Sequence, residues 1–142
     1  MPIVLFRVDE RLIHGQVVIG WGERLQPDRY LVVDDELAAS PWEQELYRLG
    51  AGDATAVFTD VAEARVRLAT WKEDAWRSVL LTRDLESMLR LARDGLLRGE
   101  SVNLGGIHHA EGRTRVRPYL YLGPAEREAI HALEEEEGVS VS

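Results

Sequence analysis

Short apolar runs rich in β-branched residues recur along the chain, and between them the apolar positions spread to a helical spacing. Ile3, Val4, Leu5 and Phe6 lie within a first buried strand from Pro2 to Val8. Val17, Val18, Trp21 and Leu25 then share one face of a helix over Gln16 to Leu25, which Gln26-Pro27-Asp28 breaks. Arg29 to Val33 reads as a second strand ending in Asp34-Asp35. Ser40-Pro41 is an N-cap followed by proline at the first helical position, and that helix runs through Leu46 and Leu49 to Gly50 to Gly52. Thr55 to Thr59 is a third strand, after which Asp60 caps a helix carrying Val61, Ala64 and Leu68. Ser78 to Thr82 is a fourth strand, and Asp84 starts a helix with Leu85, Met88, Leu89 and Ala92 on one face. Ser101 to Leu104 is a fifth, cut off by Gly105-Gly106. Arg115 to Leu122 reads as a sixth, with Pro118 placing it at an edge or bulge. Pro124 begins a last helix bearing Ala125, Ala129, Ile130 and Leu133. Gly138 stops it, and Val139 to Val141 form a short final strand.

This alternation predicts an α/β fold: one domain over residues 1–142, with a mostly parallel, doubly wound sheet of about six or seven strands and helices on both faces. In such sheets ligands bind beyond the carboxyl ends of the strands. The segments expected on that rim are Asp9 to Gly15, Asp34-Asp35, Thr82-Arg83-Asp84 and Gly105 to His109. Composition narrows the function. A formal net charge of −8 argues against general nucleic-acid binding, and it makes Arg7 and Arg11 a local exception. With no cysteine there is no disulfide or thiolate metal site, which is compatible with the cytoplasm. No signal peptide and no run of about 18 apolar residues is seen. The acidic run Glu134 to Glu137 reads as a solvated helix end, and His131 as a solvent-facing helix residue.

His14 is the leading candidate for chemistry, because a neutral imidazole is nucleophilic and can take a phosphoryl group. Arg11 offers a planar fork of donors for that group. The N–H groups of Gly15 and Gln16 at a helix start favour an anion, and Gly15 permits close approach. Asp9 would orient His14 or hold Arg11. Arg7 either faces the same site or lies on the surface. Thr82 and Arg83 could reach a phosphoryl group, or serve only as turn and cap. Asp34-Asp35 could position a partner arginine, or simply end a strand and cap a helix. His108-His109 would point apart rather than share a metal, and no nucleotide-binding glycine motif occurs. No metal or other cofactor is expected.

The stretch Val8-Asp9-Glu10-Arg11-Leu12-Ile13-His14-Gly15-Gln16-Val17 resembles the phosphorylation segment of IIB subunits of the mannose/fructose/sorbose family. These belong to the bacterial phosphoenolpyruvate-dependent sugar phosphotransferase system. Val32-Val33-Asp34-Asp35 is similar to the family's second-strand ending. Val102 to His108, followed by Ala110-Glu111-Gly112, is similar to its glycine segment. The resemblance implies a protein-N(π)-phosphohistidine–sugar phosphotransferase, with His14 as the phosphorylated residue and Arg11 as its stabilising arginine. It implies a IIA domain as donor, and a sugar held by membrane IIC/IID subunits as acceptor. It also implies a cytoplasmic protein peripherally associated with the permease. Arg83 stands where many relatives carry lysine. The chain ends early against the family pattern, at Gly138 to Ser142, so a reduced last strand is expected. The residues alone leave open which imidazole nitrogen reacts and whether the chain forms a homodimer. They also leave open two alternatives: a regulatory module read in its phosphorylated state, and an anion-binding module without covalent chemistry.

Overall fold

The computed structural model describes residues 3–142, the side chain of Gln16 excepted. Pro2, placed in the first strand above, lies outside the described residues. In chain order the elements are β1 (Ile3–Val8), α1 (a π-helical segment Gln16–Trp21 continuing as Gly22–Leu25), β2 (Arg29–Val33), α2 (Asp35–Ala38), α3 (Pro41–Gly50), β3 (Thr55–Thr59) and α4 (Val61–Glu73). They continue as β4 (Ser78–Thr82), α5 (Leu85–Ala92), β5 (Ser101–Leu104), β6 (Thr114–Arg117), β7 (Leu120–Leu122), α6 (Pro124–His131, continuing as the π-helical Ala132–Glu136) and β8 (Ser140–Val141).

Six strands form one sheet in the order β3-β2-β4-β1-β5-β8, with every pair parallel. Right-handed crossovers toward β3 and those toward β8 must lie on opposite faces. The side chains divide that way. Val61, Leu68 and Trp71 of α4 and Leu85, Met88 and Leu91 of α5 pack with Phe6, Val8, Leu31, Val33 and Leu80. Leu12, Ile13, Val17 and Leu37 pack on the other face with Tyr30, Val32, Val79 and Leu81. Alternate residues of β2 and β4 therefore serve opposite layers, which explains their unbroken apolar sequence. Adjacent Leu80 and Leu81 are both fully buried, each stabilising the fold by about 1.5–3 kcal/mol through burial.

Two expectations need correction. The single strand over Arg115 to Leu122 is instead an antiparallel hairpin of β6 and β7. Pro118, lacking an N–H, falls in its turn rather than in a ladder, and Tyr119 beside it takes a left-handed φ of 66°. The acidic helix end is not wholly solvated. Glu137 is buried, with Oε2 3.1 Å from Arg93 Nη1 and Oε1 accepting the Gly95 N–H. Asp34 does end a strand and cap a helix, accepting the Leu37 N–H at 2.9 Å. The last strand is short but paired: Ser142 N–H donates to Val102 O, and Leu104 N–H to Ser142 O at 2.8 Å. No helix among the described residues is long and apolar enough to cross a membrane.

Candidate functional site

β1 lies between β4 and β5, and its carboxyl end is level with both, Val8 pairing with Thr82 and with Leu104. The chain leaving β1 is pinned to each neighbour. Asp9 N–H donates to Thr82 O at 2.9 Å, Gly105 N–H to Val8 O at 2.7 Å and Glu10 N–H to Gly106 O at 2.9 Å. The segments from Asp9 to Gly15, Thr82 to Asp84 and Gly105 to His109 thus share the rim, as expected for this topology.

Asp9 is the hub of that rim. Its side chain is fully buried, and its carboxylate accepts the Arg11 N–H at 3.0 Å, Arg11 Nε and Nη2 each at 3.1 Å, and Arg7 Nη2 at 3.2 Å. Burial pushes the carboxyl pKa up. The Arg11 side chain and N–H, the Gly106 N–H and the nearby His14 outweigh it and hold it below the usual carboxylate value. Arg7 is nearly buried and also donates to Asn103 Oδ1. Burial lowers its pKa, Asp9 opposes that, and Arg11 and Arg117 add repulsion that lowers it further.

The loop turns back at Leu12, a non-glycine residue at φ 52° with a fully buried side chain. Such a conformation costs about 1–3 kcal/mol and is held here by the burial of Leu12. It aims the Leu12 carbonyl at His14 Nδ1, 2.8 Å away. A carbonyl only accepts, so Nδ1 carries the proton and Nε2 keeps the lone pair in the neutral ring. Nε2 is buried, has no hydrogen-bond partner among the described residues, and stands 3.8 Å from Asp9 Oδ2.

Gly105 and Gly106 make this packing sterically feasible. A Cβ on Gly105 would lie 2.5 Å from Asp9 Oδ2 and 2.6 Å from Arg7 Nη2, and one on Gly106 would lie 2.8 Å from Arg11 Nε. Gly15 differs: among the described residues, its two chain neighbours aside, nothing lies within 4 Å of its Cβ position. Gln16 follows at the start of α1, and its side chain lies outside the described residues.

The structure brings Arg7, Asp9, Arg11 and His14 together. Thr82 is fully buried and its hydroxyl donates to Asp84 O at 2.9 Å. Arg83 lies with Nε 3.8 Å from Asp34 Oδ1. Asp35 accepts the Val61 N–H and pairs with Arg90 Nη1 at 2.8 Å. His108 pairs with Glu10 at 2.6 Å, whereas His109 meets the Tyr121 ring edge-on. Sequence reasoning missed Asn103, Trp21, Arg117 and Tyr119. Arg7 lies 5.8 Å from the Trp21 ring, and Arg11 5.6 Å from the Tyr119 ring. The polar Asn103 inside an apolar strand was a readable cue; Arg117 and Tyr119 had none while their segment read as one strand. A buried, saturated carboxylate among arginines suits an anion rather than a metal ion.

The family model described as "PTS system sorbose subfamily IIB component" matches residues 3–142. The "PTS system mannose-specific EIIAB component" of Escherichia coli K12 is 33% identical over 134 residues, which is 94% of this chain and 41% of that protein. The chain therefore spans less than half of that relative. The "N-acetylgalactosamine-specific phosphotransferase enzyme IIB component 2" of the same organism is 31% identical over 82% of this chain and 74% of its own length. Among solved structures, a phosphotransferase-system-dependent N-acetylgalactosamine IIB component from Streptococcus pyogenes superposes with a TM-score of 0.87. It is 25% identical and covers 98% of this chain and 85% of its own.

Proposed function

The chain belongs to the sorbose-subfamily IIB components of the phosphotransferase system, and we propose that it carries a phosphoryl group on His14 between a IIA donor and a sugar. The observation that supports this most is the Asp9 hub, which holds Arg7 and Arg11 as prepaid cations beside His14 at a helix start. In the first step a His14 nitrogen attacks the phosphorus of the donor's phosphohistidine. One P–N bond forms as the other breaks, and the donor imidazole leaves with the electron pair. In the second step a sugar hydroxyl oxygen attacks that phosphorus, the His14 P–N bond breaks with its electron pair returning to the imidazole, and the hydroxyl proton is taken up by that ring. Neither step needs a cofactor, because positioning and charge compensation supply the catalysis.

The resting ring must move before the first step. The π nitrogen, Nδ1, is bonded to Leu12 O, and Nε2 is buried against Asp9. Loading Nδ1 requires the ring to swing off Leu12 and take its other neutral tautomer, with the proton on Nε2; as the P–N bond forms, that proton passes to the departing donor imidazole. Once loaded, the phosphoryl group takes the place of Asp9 in attracting Arg11, so the carboxylate prevents the phosphoenzyme from becoming a sink. The IIC/IID membrane subunits present the sugar, and the chain works from the cytoplasm at the permease. Incubation with phosphoenolpyruvate, the general phosphotransfer proteins and a IIA domain tests the reading. Wild type gains one acid-labile phosphoryl group and His14→Ala gains none; labelling of the variant would overturn it.

A further inference from the structure

Beside the Asp9 hub, on the side of Arg7 and Arg11 lined by β5 and the β6–β7 hairpin, lies a cleft of about 410 Å³. Three guanidinium groups reach it: Arg7, Arg11 and Arg117. Among the described residues no acidic side chain lines it, and the one carboxylate behind it, Asp9, is shared between Arg7 and Arg11. In a chain of net charge −8 this is a concentrated cationic site, and its surplus matches a dianion.

Its walls are not those of a bare anion site. Trp21 closes one side, and Tyr119 stands at the tip of the hairpin, 65% exposed, with its ring 5.6 Å from the Arg11 guanidinium. Tyr119 holds its position in a left-handed backbone that disfavours a bulky residue. A strained, exposed aromatic over a site arginine points to a ligand-facing role. The cleft's volume lies within the range of about 300–1,000 Å³ that small organic ligands occupy, whereas a phosphate ion alone fills little of it.

Resting on the proposed function, we propose that this cleft seats a sugar phosphate ester, its phosphate on Arg11 and Arg117 and its sugar ring against Tyr119 and Trp21. Arg7 adds charge from behind. The cleft then receives the reaction's product, and a bound sugar phosphate occupies Arg11, slowing the recharging of His14.

The test is equilibrium binding to the full chain by calorimetry, with mannose 6-phosphate, N-acetylgalactosamine 6-phosphate, inorganic phosphate and neutral mannose as probes. A sugar phosphate should bind about tenfold or more tighter than inorganic phosphate, and neutral mannose should not bind. His14→Ala should bind as wild type, which separates this site from the phosphohistidine assignment, since that is read by mass gain alone. Arg117→Gln should weaken both phosphates by about tenfold, and Tyr119→Ala should reduce the sugar phosphate to the level of inorganic phosphate. Thermal melts establish that each variant is folded. Equal binding of inorganic and sugar phosphate, or unchanged binding in folded Arg117→Gln, would overturn the proposal.

Discussion

Replacing Gly105 with alanine tests the packing on which the arginine cluster depends. The new Cβ would sit 2.5 Å from Asp9 Oδ2 and 2.6 Å from Arg7 Nη2. Ordinary contact begins near 3.4 Å, so these charged groups must retreat by about 0.9 Å. Asp9 is fully buried and bonded on both oxygens, so it cannot swing into solvent. Overpacking of this kind costs about 1–3 kcal/mol, and weakening a charge-assisted bond between Arg7 and Asp9 about 1.5–3 kcal/mol. Alanine returns about 0.4–1 kcal/mol by restricting the unfolded chain. The net expected loss is about 2–5 kcal/mol, read by urea melts with an unchanged slope. Gly106→Ala is the contrasting case. Its Cβ would meet Arg11 Nε at 2.8 Å, but the Arg11 side chain is 34% exposed and can move outward. Stability should fall by less than about 1 kcal/mol, while phosphoryl transfer should slow about tenfold or more as the Asp9–Arg11 fork opens. A Gly105→Ala protein as stable as wild type, or a Gly106→Ala protein transferring at the wild-type rate, would refute the steric reasoning.

The Asp9 carboxyl is held below its ordinary value, so its contribution to stability is present above about pH 4. That contribution is lost as pH falls through the folded pKa; Asp9→Asn should therefore flatten this part of the acid-unfolding curve, and an unchanged curve would count against the hub. Arg11→Lys keeps the charge but loses the fork to both Asp9 oxygens, each now at 3.1 Å. Its transfer rate to the acceptor should drop about tenfold or more, and an unchanged rate would remove Arg11 from its role. Nitrogen-15 NMR of unphosphorylated His14 at a pH where the ring is neutral should show Nδ1 as the protonated nitrogen, as the bond to Leu12 O requires. A resonance pattern with Nε2 protonated would contradict that geometry.

Most of the sheet was legible because its strands are apolar on both faces and its helices open on Asp34, Asp60 and Asp84, whose side chains cap them as expected. The loop around His14 was legible for the same local reason, since its charges interrupt two apolar segments. Less visible were features set by distance in sequence. Asn103 meets Arg7 only because β5 pairs with β1, and Gly105-Gly106 matter because of what packs against them rather than through their own turn. The hairpin is hidden by Pro118: a proline within an apolar stretch reads as an edge or bulge of one strand, whereas in the fold it opens the turn that brings Arg117 and Tyr119 to the cleft. Leu12 gave no warning either, because a left-handed leucine is imposed by its burial and not by local preference.

The most direct measurement of the central claim is intact mass after incubation with phosphoenolpyruvate, the general phosphotransfer proteins and a matching IIA domain, for wild type and His14→Ala. The expected result is a gain of one phosphoryl group in wild type alone, removed by mild acid. A wild-type protein that stays unlabelled beside a demonstrably active donor, or a His14→Ala protein that is labelled, would contradict the assignment of His14 as the phosphoryl carrier.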